Sequence, residues 1–310
     1  GNSLPLTNGG KVFFTNLSAI NPITYPATMK QIFLLLLAFS CITGFSQQRP
    51  FPGRGQDPNA ERFKDPEYNP NEDSLLRMNH FMTEIWEPEV PKVKPGAHFT
   101  DPPSDAIILF DGTDPDREWQ ETVFSRSGRT IADHISSEVK DGAMYPPQGF
   151  GSLSTKRVFE DFQLHIEWMV LPGVSGEGQA RGNGGVYLQG VYEIQILDSW
   201  GTRTYKNGQA GALYKQYSPL VNACLPPGEW QSFDIIYTAP RFGEDSTSYF
   251  TPPRATIFHN GILIQNNVAL RGPTTYVGIP EMMIRKHGPG PIMLQNRNAL
   301  AFRNIWIREL

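Results

Sequence analysis

Between residues 162 and 170 the chain alternates: Phe162, Leu164, Ile166, Trp168 and Val170 are large and apolar, with Gln163, His165, Glu167 and Met169 between them. A period of two sends successive side chains to opposite faces of an extended strand. The segment therefore specifies a strand with one buried face, not a helix, whose apolar positions recur every three or four residues. Shorter pieces repeat the signal. Residues 106–110 run into the turn Asp111-Gly112, and Val139 and residues 143–145 flank Asp141-Gly142. Residues 185–198 read as two strands broken at Gln189-Gly190, residues 230–238 as another, and residues 255–259 and 262–265 as a pair joined by Asn260-Gly261. Asp-Gly and Asn-Gly are the preferred dipeptides of the tightest hairpins, because both central residues need positive φ. Residues 292–295 and 300–307 complete the set. About ten or more short strands with no helical pattern between them argue against a parallel βαβ sheet. An all-β fold of two stacked antiparallel sheets is expected ahead of a closed barrel.

Composition agrees and excludes some functions. Gly 29 and Pro 27 supply turns, and a formal charge of -4 leaves no basic face for nucleic acid. Cys41 and Cys224 make neither zinc spacing nor a disulfide framework, and Cys224 reads as an inert thiol. The six histidines show no HxH or HExxH spacing, and His165 and His259 read as structural. The sequence calls for no cofactor, assigns no metal ligand and leaves a divalent metal open.

One strongly apolar run lies near the N-terminus. Met29-Lys30 precedes residues 32–39 (IFLLLLAF), followed by small and polar residues to Gln47. This is the pattern of a secretory signal peptide over residues 29–46, and it is too short for a transmembrane helix of about 20 residues. Residues 1–28 read as upstream sequence, and the mature chain is expected to start near Gln47, carry no transmembrane span, and be periplasmic or secreted. Lipoprotein processing at Cys41 is the alternative. Residues 47–103 read as a Pro-rich linker with a short amphipathic helix over Asp73–Trp86, and residues 104–310 as the β domain.

Several blocks, in order, carry a resemblance. They are Ile108-Leu109-Phe110-Asp111-Gly112-Thr113, then Val139-Lys140-Asp141-Gly142, Leu153-Ser154-Thr155-Lys156 and the alternating strand. Gly182-Asn183-Gly184-Gly185-Val186-Tyr187-Leu188-Gln189 follows, with residues 192–198 (YEIQILD), Gly211-Ala212-Leu213-Tyr214, residues 226–230 and residues 302–307. From about residue 104 onward the chain resembles the 3-keto-disaccharide hydrolase family. The resemblance implies a concanavalin-like jelly-roll β-sandwich acting on an oxidised (3-keto) saccharide, by hydrolysis or by elimination and hydration. A C3 ketone acidifies the C2 hydrogen, so a base can remove it and the enolate can expel the C1 substituent. Such a site needs a base, a proton donor for the leaving oxygen and an electrophile at the C3 oxygen.

Strand parity selects the candidates. Tyr192, Ile194 and Ile196 share an apolar face, which leaves Glu193 and Gln195 for an open groove, with Tyr187 and Gln189 at matching parity. The expected catalytic groups are Glu193, Asp198 and Lys156. Asp198 is also read as a turn cap, and Lys156 also as an ordinary surface lysine. Gln195, Tyr187, Gln189, Arg157, Trp200, Tyr214 and Arg297 are expected to bind substrate. The resemblance breaks at residues 296–300 (NRNAL), where relatives commonly carry Asp-His-Gly-Asn-Pro; Arg297 offers charge there but no base. Two readings stand: an exported enzyme that cleaves 3-keto-glycosides, and a non-catalytic carbohydrate-binding sandwich.

Overall fold

The structure, a computed structural model, describes residues 84–125, 128–132, 134–149, 152–245 and 248–310. The apolar run at residues 32–39, Cys41 and most of the helix expected over Asp73–Trp86 lie outside the described residues. That helix's last three positions, 84–86, belong to no regular element.

Among the described residues sixteen strands follow in chain order: β1 (Ile107–Phe110), β2 (Trp119–Ser125), β3 (Gly128–Ala132), β4 (Glu138–Lys140), β5 (Ala143–Tyr145), β6 (Ser152–Thr155), β7 (Phe162–Val170) and β8 (Gly184–Leu188). The second half holds β9 (Tyr192–Ile196), β10 (Gln231–Thr238), β11 (Arg241–Phe242), β12 (Tyr249–Thr251), β13 (Arg254–His259), β14 (Ile262–Ala269), β15 (Met293–Asn296) and β16 (Leu300–Glu309). One sheet has the order β14-β13-β10-β7-β16-β5-β4, with β1 also on β16; a second has the order β3-β2-β6-β15-β8-β9; β11 and β12 form a small ribbon. The paired strands of both large sheets run antiparallel. Among the described residues no helix is long and apolar enough to cross a membrane.

One apolar cluster joins the two sheets and makes the fold a β-sandwich. Leu164, Ile166 and Trp168 of β7 and Phe233 and Ile235 of β10 enter it from one side. Leu153, Val186, Ile194, Ile196 and Leu294 enter from the other. The parity expected of β7 and β9 is therefore the parity observed. The hairpins also follow local chemistry. Asp141-Gly142, Gln189-Gly190 and Asn260-Gly261 all have positive φ at both residues (53° and 74°, 52° and 69°, 52° and 75°), the two-residue turn that matches the twist of the strands it joins.

β2, β3 and β6 carry no clear alternation and were not expected from the sequence. β6 reads Ser-Leu-Ser-Thr and is buried throughout, with a single large apolar side chain for the core. Ser152 and Ser154 face the side of Gln295, while Thr155 shares the side of Leu153.

Candidate active site

Register across the second sheet assembles a polar face. Tyr187 pairs with Glu193, Gly185 with Gln195, and Gln295 with Gly185. Directly paired residues share a face, so Tyr187, Glu193, Gln195 and Gln295 stand together while Val186, Ile194 and Leu294 point into the core. Gly185 keeps this face open: a Cβ there would lie 2.6 Å from Glu193 Oε1 and 2.9 Å from its Cγ.

Loops build a recess of about 160 Å³ over these strands. Gln179 and Asn183 come from the segment before β8, Tyr214 from the segment after β9, and Thr274 and Tyr276 from the β14–β15 connection. Arg297 enters from the β15–β16 turn. The Glu193 backbone N–H donates to Thr274 Oγ1 at 2.9 Å, tying the connection to the strand. Tyr276 is exposed at the rim, its ring centroid 5.4 Å from the Arg297 guanidinium and 5.3 Å from the Lys215 ammonium. Arg297 Nε donates to Gln295 Oε1 at 3.1 Å. The Tyr214 and Tyr205 hydroxyls are 2.7 Å apart.

Burial sets the electrostatics. Glu193 is 6% exposed, and desolvation raises its carboxyl to about 7, against the opposing pull of the Tyr187 hydroxyl and the Arg297 charge. Low dielectric disfavours the charged form, so the carboxyl titrates near neutrality. Desolvation also lifts the phenols of Tyr187 and Tyr214, which stay protonated and able to donate.

The structure brings Glu193, Gln195, Tyr187, Tyr214 and Arg297 together in this recess. It is a recess and not the open groove expected, because the loops close over Glu193. The other expected residues stand apart. Gln189 sits at φ 52° in the hairpin, which turns its side chain away from the parity of Tyr187; its Nε2 donates to Phe159 O at 3.0 Å, and its Oε1 accepts from Tyr237 at 2.8 Å. Asp198 is buried, pairs with Arg181 Nε at 2.5 Å and accepts from the Trp200 N–H at 3.1 Å, so it is the turn cap. Lys156 donates to Asp116 O at 2.7 Å and Arg157 pairs with Glu118 at 3.0 Å, both outside the recess. Trp200 is about half-exposed and also outside it. The cation expected from Lys156 or Arg157 is Arg297 instead. Gln179, Asn183, Thr274, Tyr276 and Gln295 were missed. Gln295 was legible as a polar residue at alternate parity in its strand, whereas Thr274 and Tyr276 lie in a loop with no periodic signal.

Elsewhere, the polar face of β7 holds a buried ion network. His165 Nδ1 lies 2.6 Å from Asp234 Oδ1, Arg303 Nε 2.6 Å from Glu167 Oε2, and Asn304 Nδ2 2.8 Å from Glu167 Oε1. Burial opposes the charge on His165, but Asp234 and Glu167 outweigh it and raise its pKa to about 9. Both His165 and His259 pack on tryptophans, as structural histidines do. Burial pushes the Cys224 thiol up to about 11, consistent with an inert group. Larger hollows of about 520 and 490 Å³ flank Trp306, but neither joins a buried carboxylate to a guanidinium as the recess does. Among the described residues, no three His, Cys, Asp or Glu side chains cluster as metal ligands.

The family described as a 3-keto-alpha-glucoside-1,2-lyase-like domain matches residues 105–308. A crystal structure of a candidate glycosyl hydrolase from Parabacteroides distasonis ATCC 8503 is 45% identical, with TM-score 0.66, over 75% of this chain and 97% of that one. A second candidate glycosyl hydrolase from the same organism is 19% identical, with TM-score 0.46, over 66% of this chain and 94% of its own. Among curated proteins, none matches.

Proposed function

This chain belongs to the 3-keto-alpha-glucoside-1,2-lyase-like family, and from that premise we propose that it is a glycoside-cleaving enzyme acting on 3-keto-glycosides. The observation that carries the reading is Glu193, a carboxyl raised to about 7 in a recess bordered by the Arg297 guanidinium. A general base works best when its pKa lies near the operating pH. A carboxylate of ordinary pKa would be a weaker base toward a hydrogen on carbon.

In this reading Glu193 removes the C2 hydrogen, and the electron pair moves toward the C3 oxygen. Arg297 stabilises the charge that grows there, as a preorganised cation does in a water-poor site. The enolate then expels the C1 substituent, whose oxygen takes a proton from Tyr214, a phenol kept neutral by burial. At about 160 Å³ the recess is below the roughly 300–1,000 Å³ of sites that enclose a drug-sized ligand, so it takes one ring and leaves the departing group at the mouth. The extracytoplasmic setting implied by residues 29–46 is part of the same proposal.

The test is turnover of methyl 3-keto-glucopyranosides of both anomers by the purified protein, with and without divalent metal, beside the unoxidised parent glucosides. Release of methanol from a 3-keto substrate alone supports the reading. Cleavage of the parent glucosides at equal rate removes the ketone from the mechanism, and binding without release leaves the carbohydrate-binding alternative.

A further inference from the structure

We propose that Gln195 is a specificity-determining residue whose side-chain oxygen is held as an obligatory acceptor for a substrate hydroxyl, and that Gln179 is the positioning residue that holds it so. The inference rests on the reading of the recess as a glycoside site and goes beyond it, because it states what one position of the sugar must carry.

The argument is a chain of donors and acceptors whose direction is set at one end. Gln179 Nε2 donates to Gly208 O at 2.8 Å and to Thr204 Oγ1 at 3.2 Å. A backbone carbonyl only accepts, so the nitrogen of Gln179 must face it, and the amide cannot be turned over without losing that bond. Its oxygen therefore faces Gln195, where it accepts from Gln195 Nε2 at 2.9 Å. Asn183 Nδ2 donates to the Gln179 backbone carbonyl at 2.7 Å and, more weakly, to its Oε1 at 3.4 Å, a second donor where the amide oxygen sits. With its nitrogen turned to Gln179, the oxygen of Gln195 takes the other side of the amide, where it can only accept.

That oxygen is the exception in the site. Gln195 is 1% exposed and lines the recess, yet its Oε1 has no hydrogen-bond partner. Buried polar groups are nearly always paired, and an orphaned one calls for a ligand, a water or a function. Here the vacant acceptor belongs to a side chain on the same strand face as Glu193, two residues along, where a ring lying over Glu193 extends.

The chemistry of the partner follows. An acceptor is satisfied only by a donor, so the group meeting Gln195 is a hydroxyl. The C3 ketone, which only accepts, is excluded from this position and turns to the Arg297 side. The recess thus separates its ends by hydrogen-bonding sense, with a cationic donor for the ketone and an amide acceptor for a hydroxyl. Such an arrangement fixes which way round the ring enters. An analogue lacking that hydroxyl leaves a buried acceptor unpaired, and sites built on this principle reject it strongly.

The test uses the full chain and three monodeoxy analogues of methyl 3-keto-glucopyranoside, at C2, C4 and C6. Binding is read by calorimetry, independently of turnover. One analogue is expected to bind the wild type at least about 30-fold more weakly than the parent, the scale of leaving a buried group unpaired. In Gln195→Leu, parent and analogue should bind within about threefold of each other, because no acceptor remains to be disappointed. Gln179→Leu keeps Gln195 but frees its amide to turn, so the same discrimination should shrink in a protein whose site is otherwise intact. It also keeps the proposal testable if Gln195→Leu fails to fold. Equal discrimination in wild type and both variants, or none in the wild type, overturns the role of Gln195 while the glycoside reading stands. Failure of every member of the series to bind overturns that reading and this proposal together.

Discussion

Replacing Glu193 by Gln should make the protein more stable and less active, and the pH dependence of both effects is fixed by one number. Burial lifts the Glu193 carboxyl from 4.5 to about 7. At about 1.4 kcal/mol per unit, ionising it inside the folded protein costs on the order of 3 kcal/mol. The sign follows from which state ionises first. Below about pH 4.5 the group is protonated in both states and costs nothing. Between 4.5 and 7 the unfolded chain gives up the proton while the folded chain retains it, so wild-type stability falls as pH rises. Above 7 the full cost is present. An amide has the same shape and can still accept from Tyr187, but it has nothing to ionise. For a domain of this size 1 kcal/mol moves Tm by about 2–4 °C, so the variant's lead should widen by about 6–12 °C between pH 4.5 and pH 8. Wild-type kcat/KM on a methyl 3-keto-glucopyranoside should climb over the same interval with a midpoint near 7, and the variant should lose a factor of about 10²–10⁴. Melting curves of both proteins from pH 4.5 to 8, with turnover measured in parallel, decide the matter. A stability gap that does not change with pH refutes the buried carboxyl. Full activity in the variant refutes Glu193 as the base.

Arg297→Met removes a charge that holds Glu193 down, so the acid limb of the pH–rate profile should move to higher pH than in the wild type; an unmoved limb would separate the guanidinium from the carboxyl. Gly185→Ala places a Cβ 2.6 Å from Glu193 Oε1 and must displace the carboxylate. A shift of that order costs about 10² in kcat with an unchanged far-ultraviolet spectrum, and unaltered kcat would contradict the geometry. His165→Leu removes the imidazole from the partly exposed Asp234 carboxylate while Glu167 keeps Arg303 and Asn304, and should cost about 1–3 kcal/mol in urea melts at pH 7. Because His165 is raised from 6.5 to about 9, the wild type should also lose stability as pH climbs through that window, and the variant should lack that loss.

Much of the fold is legible in the sequence because it is encoded by neighbours in the chain. The alternation of residues 162–170 states which side chains of β7 meet the core, and Trp168 and Ile166 are fully buried there. The three dipeptide turns state where strands reverse. The same logic reached half of the site: Tyr192, Ile194 and Ile196 claim the core, which leaves Glu193 and Gln195 on the opposite face. Parity fails at Gln189 for a local reason, since a positive φ rotates the side chain out of the strand's alternation. β6 carries little apolar signal because Ser152 and Ser154 take the polar side and its core side holds only Leu153 and Thr155.

What only the tertiary structure decided is which groups arrive over that strand face from elsewhere. β15 lies between β6 and β8 although more than a hundred residues separate it from either. That crossing carries Arg297 to Glu193 and leaves Lys156 on Asp116 and Arg157 on Glu118. Thr274 and Tyr276 roof the recess from a connection with no periodicity of its own, and Gln179 orients Gln195 from a single 3-10 turn (Gly178–Ala180) before β8. Periodicity records the face a side chain takes within its own strand, because that depends on a dihedral pattern repeated every two residues. It holds no record of partners brought by long-range packing, and it is that packing which dries Glu193 and raises its carboxyl to about 7.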